Sequence, residues 1–129
     1  MKKLFFITIA ILFVNAIHAQ VTFSQQTSFS GFIGKYEIRM LLAIQTGGMT
    51  SCFFVGEYFY KNNKDKMRLC ADEEGRVIES INGKETGYFI FNEDWDKKVG
   101  QTLTGHWYSL LNGNRDYPVV LKVIGKLKD

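Results

Sequence analysis

Residues 32–46 read FIGKYEIRMLLAIQT. Along an extended chain Phe32, Gly34, Tyr36, Ile38, Met40, Leu42 and Ile44 fall on one side, and Lys35, Glu37, Arg39 and Gln45 on the other. Successive strand side chains point to opposite faces, so this sustained period of two marks a strand with one face in a core. The predicted element is a single strand from Phe32 to Thr46. At about 3.3 Å per residue it would run on the order of 40 Å. That is too long for a flat strand in a small domain, so a bend or bulge is expected at Gly34 or near Leu41.

Beyond a turn at Gly47-Gly48 lies a second predicted strand, Ser51 to Lys61, which contains FFVGEYFY at 53–60. Cys52, Phe54, Tyr58 and Tyr60 share one face; Phe53, Val55 and Phe59 share the other with Glu57 and Lys61. One set fills the interior. The other is either covered, by the segment Val21 to Phe29 or the loop around Trp95, or left as an exposed aromatic patch of the kind that marks a binding surface. Further strands are read at Met67–Ala71, Arg76–Ile81, Gly87–Phe91, Thr102–Leu110 and Tyr117–Ile124. Asn82-Gly83 suits a tight type I′ hairpin, whose two central residues need positive φ. Pro118, the only proline, stands at the start of the last strand, where a missing N–H is tolerated. Helix signals are almost absent. The fold class expected is all-β: an antiparallel up-and-down meander of about eight strands, forming a small barrel or a strongly curved sheet.

The first twenty residues, MKKLFFITIAILFVNAIHAQ, carry two lysines, an apolar run from Leu4 to Val14 and the small residue Ala19. This is the layout of a secretory signal peptide over 1–19, leaving 20–129 as a single β-barrel-like domain. The apolar run has eleven residues, whereas a membrane span needs roughly 20. The protein is therefore expected to be exported, periplasmic or extracellular, with no membrane anchor after cleavage. Lys2 and Lys3 leave with the leader while all thirteen acidic residues remain, so the net charge falls from +3 to +1. A nearly balanced surface offers no basic stripe for phosphates and argues against a nucleic-acid partner.

Catalytic and metal chemistry find little support. His106 is the only histidine after Ala19 and alternates in facing with Trp107, as a surface residue would. No G-x-S-x-G elbow is present. Asp72-Glu73-Glu74 and Glu93-Asp94-x-Asp96 adjoin turns and lack the spaced ligands of a calcium loop, so they read as solvated loops with Trp95 the one oddity. No catalytic residue, metal site or cofactor is expected. Two cysteines in an exported chain favour a disulfide, but local geometry argues against it. If Lys61 sits opposite Met67, Cys70 faces Tyr58, on the order of 20 Å along the strand from Cys52. A bridge needs Cα atoms within about 7 Å, so only another register or a contact across the interior would allow one.

Glycine stands two residues before an aromatic in Gly34-Lys35-Tyr36, Gly56-Glu57-Tyr58, Gly87-Tyr88-Phe89 and Gly105-His106-Trp107, as where a strand bends or a ring lies over bare backbone. The order Phe32-x-Gly34, Ile38-x-Met40-x-Leu42, Gly56-x-Tyr58-x-Tyr60, Thr86-Gly87-x-Phe89 and Gly105-x-Trp107 resembles a group of short, largely uncharacterised exported bacterial β-proteins, over most of residues 31–123. More loosely it resembles avidin and lipocalin barrels. The resemblance implies fold and export and supplies no activity. The expected function is a non-enzymatic binding protein that recognises another macromolecule in the cell envelope, an inhibitor or immunity-type module, with Tyr58, Tyr60 and Trp107 as binding residues. The alternative is a carrier of a small apolar ligand inside the barrel, against which the large inward residues Tyr36, Met40, Leu42 and Phe54 argue.

Overall fold

The stretch 32–46 is not one bent strand but the joint of a hairpin. In a computed structural model describing residues 23–45, 52–113 and 115–127, β1 (Phe23–Ile33) ends at Gly34, which adopts φ 59°, and β2 (Tyr36–Gln45) runs back beside it. Ile33 pairs with Tyr36 and Phe32 with Glu37, so Phe32 faces outward rather than sharing the Tyr36 face as the alternation suggested. Of the segment 21–29, expected as a possible cover, residues 23–29 belong to β1 instead, and 21–22 lie outside the described residues. Residues 1–19, where a signal peptide is expected, and the expected turn at Gly47-Gly48 lie outside the described residues.

β3 (Val55–Tyr60), β4 (Asn63–Ala71), β5 (Val77–Ile81), β6 (Lys84–Phe91), β7 (Thr102–Ser109) and β8 (Asp116–Leu127) follow. Each strand pairs antiparallel with its sequence neighbours, and β1 pairs with β8, so the eight-stranded meander closes into a barrel. Closure removes the two edges that an open meander would expose. The hairpin read at Asn82-Gly83 is there, with φ of 54° and 83°.

Inward positions alternate as the pleat requires. Phe29, Ile33, Ile38, Met40, Leu42, Tyr58, Met67, Leu69, Val77, Phe89, Leu103, Val119, Leu121 and Val123 are buried in one cluster. Each large apolar side chain contributes about 1.5–3 kcal/mol on full burial. Outward positions of β2, β3 and β4 carry Glu37, Arg39, Glu57, Lys66 and Arg68, with Lys66 Nζ 3.0 Å from Glu57. On β2 and β3 these charges alternate with Leu41, Val55 and Phe59, which share the outward face.

The disulfide expectation is corrected. The turn at Lys61-Asn62 is only two residues long, Tyr60 pairs with Asn63, and a register shift puts Met67 opposite Tyr58 and Cys70 opposite Val55. Cys70 thus lies three residues nearer to Cys52 than the assumed register allowed, and the two form a disulfide with Cα atoms 5.3 Å apart.

Candidate functional site

One end of the barrel gathers the turns at Gly34-Lys35, Lys61-Asn62 and Asn82-Gly83 and residues 110–113 and 115 between β7 and β8. Rings that face inward along the strands reach the surface here. Tyr36, at the start of β2, is 49% exposed; Tyr60, Trp107 and Tyr117 are half-buried; Tyr58 is 1% exposed. Tyr36 and Tyr60 meet edge to face, centroids 6.1 Å apart at 87°, and Tyr60 meets Tyr58 at 5.8 Å and 69°. Trp107 stacks on Tyr117 at 6.0 Å and 18°. Edge-to-face and offset-stacked pairs match the ring quadrupoles, so the tyrosines form a file running from solvent into the interior.

The file ends on a carboxylate. Glu79, on β5 between Leu69 and Gly87 of the flanking strands, is 4% exposed. It accepts hydrogen bonds from the Tyr58 hydroxyl, from Thr86 Oγ1 at 2.5 Å and from Trp107 Nε1 at 2.9 Å. None of the ion pairs among the described residues involves it. A buried carboxylate without a cation is costly, and three donors, each worth about 1.5–3 kcal/mol to a charged group, offset that cost.

Local sequence explains why the donors converge. The β5–β6 register shifts between Glu79 and Ser80, and this bulge turns Thr86 inward beside Gly87. A Cβ on Gly87 would stand 2.8 Å from Trp107 Nε1, so only the bare backbone admits the indole and lets its N–H reach Glu79. Burial, then the neighbouring Glu79 charge, pushes the Tyr58 phenol far above its ordinary range. Burial raises Tyr60 as well, partly offset by its hydrogen bond with Tyr58.

Above the file, at the rim, lies a depression of ≈ 320 Å³ lined by Phe32, Lys35, Tyr36, Glu37, Tyr60 and Asn62. The Lys35 ammonium sits over the Tyr36 ring, 5.7 Å from its centroid, and Glu37 pairs with Lys61 at 3.6 Å.

The other candidates are structural. Asp72 accepts from the N–H groups of Glu74 and Arg76 and pairs with the Arg76 guanidinium at 2.9 Å. Slight desolvation opposes these contacts, but they hold its carboxyl below the usual range. Glu93 is lowered by the Thr104 N–H and hydroxyl, which it accepts at 3.1 and 3.0 Å. Trp95, the oddity of the acidic loop, packs on Phe54 at 5.0 Å and covers the end of the barrel opposite the rim. His106 is exposed on the outer wall, where its ring lies 6.1 Å from Tyr108. Among the described residues no group of three or more His, Cys, Asp or Glu is placed to hold a metal ion.

Of the binding residues read from sequence, Tyr60 and Trp107 lie at the open end and Tyr58 lies beneath them, joined to Trp107 through Glu79. Phe32, Tyr36 and Glu79 were missed. Glu79 had a visible signal, a charge in the apolar phase of Val77-x-Glu79-x-Ile81. Compared with protein-family models, with curated proteins and with solved structures, the chain matches none of them.

Proposed function

We propose that this is an exported, non-enzymatic binding protein that recognises another macromolecule of the cell envelope through the open end of its barrel. The observation that carries the proposal is the file of rings that breaks the surface at this end, beside a depression large enough for a side chain. Tyrosine suits such a place because its ring buries area while its hydroxyl keeps a partner. The Cys52–Cys70 disulfide and the leader-like start support an oxidising compartment. Carriage of a small apolar molecule within the barrel is less well supported, because Phe29, Phe89, Leu42 and Leu103 fill the interior and are fully buried. Tyr58 serves the site from below by fixing Glu79.

Affinity capture from envelope extract tests the proposal, using wild type, a Tyr36→Ala, Tyr60→Ala variant and a Phe53→Ala control altered at the opposite end, where Phe53 is 62% exposed. A partner recovered by wild type and control but lost from the double variant is the expected result. Equal recovery by all three, or loss only with Phe53→Ala, defeats it.

A further inference from the structure

We infer that the rim depression is a receptor for an organic cation, the ammonium or guanidinium head of a lysine or arginine side chain on the partner. The inference rests on the docking role proposed for this end. Three aromatic residues, Phe32, Tyr36 and Tyr60, line the depression, and the two tyrosines stand perpendicular as adjoining walls. Ring faces are electronegative and attract cations within about 6 Å of the centroid. One carboxylate, Glu37, also stands in the lining, and it already holds a cation, the Lys61 ammonium at 3.6 Å.

The molecule already carries out this chemistry with a cation of its own. Lys35, on the exposed two-residue turn between β1 and β2, rests its ammonium on the Tyr36 face. Among the described residues no ion pair includes Lys35. It is a weakly held occupant of a place that suits a better one. At ≈ 320 Å³ the depression fits a side-chain head rather than a folded element, near the lower limit of about 300 Å³ for ligand pockets.

The test is an NMR titration of the intact domain, following the aromatic resonances of Phe32, Tyr36 and Tyr60. The probes are Nα-blocked lysine amide and Nα-blocked norleucine amide, its neutral isostere, at matched ionic strength. Lysine amide is expected to give saturable shifts confined to these rings, and norleucine amide much weaker ones. Lys35→Ala, which vacates the Tyr36 face without touching the core, is expected to tighten lysine amide binding by about 2- to 5-fold. Tyr36→Phe should retain binding and Tyr36→Leu should lose it, since the ring and not the hydroxyl holds the cation. Equal shifts from norleucine amide, no saturable shift from lysine amide, or unchanged binding in Lys35→Ala would each overturn the inference. Failure here is separable from failure of the docking proposal. If capture of a partner needs Tyr36 and Tyr60 yet survives excess lysine amide, the docking role stands and the cation receptor falls.

Discussion

The two ends of this barrel are built from the same kind of strand and finished in opposite ways. At the end of Cys52 and Trp95, the covering residues are apolar or covalent: Trp95 packs on Phe54, the disulfide ties Cys52 to Cys70, and the loop before β7 is pinned to β8 by bonds of 2.9 and 3.0 Å at Val123. At the other end, rings stay partly in water, and the deepest of them bonds to a buried carboxylate. Stability and recognition make opposed demands, because a surface that binds must leave apolar area unsatisfied until a partner arrives. If the rim binds as proposed, the demands are separated along the barrel axis. Substitutions at the closed end should therefore lower stability, and substitutions at the rim should lower affinity while the fold stands.

The largest expected effect is at the closed end. Trp95→Ala removes a mostly buried indole and should cost about 3–5 kcal/mol by urea denaturation. A result below 1 kcal/mol would mean that the closed end does not depend on this cover. Replacing Cys52 and Cys70 together by alanine removes a link between positions 18 apart in sequence and should cost about 3 kcal/mol, with reductant giving the same loss in the wild type.

Gly87→Ala sharpens the comparison from within the site. Its methyl would enter the space of the Trp107 indole, with an expected cost of about 1–3 kcal/mol and a shifted tryptophan emission as the N–H leaves Glu79. Alkaline pH probes the same interior. Because burial raises the Tyr58 phenol, the folded state keeps a proton that the unfolded chain releases above about pH 10. Its contribution is full below that pH and is lost above it, at about 1.4 kcal/mol per pH unit. Denaturation curves across this range should show that slope, and Tyr58→Phe should flatten it. The smallest effect belongs to the rim: Tyr36→Leu should change stability by no more than about 0.5 kcal/mol while abolishing capture of a partner. If it destabilises as much as Trp95→Ala, the two ends are not divided as described.

Much of the architecture was legible because the pleat writes itself into the sequence. Ile38, Met40, Leu42 and Phe54 were read as inward from alternation, which grouped Tyr58 with Phe54 but left open which face of that strand fills the interior, and Asn82-Gly83 announced its hairpin by the φ it requires. The hairpin at Gly34-Lys35 was hidden for a physical reason. A two-residue turn between Ile33 and Tyr36 leaves an alternating pattern on both sides, and only the direction of the chain changes. The disulfide was misjudged through register, since one shifted pair between Tyr58 and Tyr60 moves every later residue of β4 relative to β3. At the site, the tyrosines could be seen, but their convergence on Glu79 depends on a bulge at Thr86 and a missing methyl at Gly87, features of three strands at once.

The pairing of β1 with β8 sets a condition on how the molecule is made. Ile33 cannot meet Val119, nor Phe29 meet Val123, until almost the whole polypeptide has been synthesised, so every nascent intermediate carries an unsealed seam. Such distant closure is slow, and chains interrupted before the eighth strand should accumulate as adhesive, protease-sensitive species rather than as smaller versions of the finished vessel.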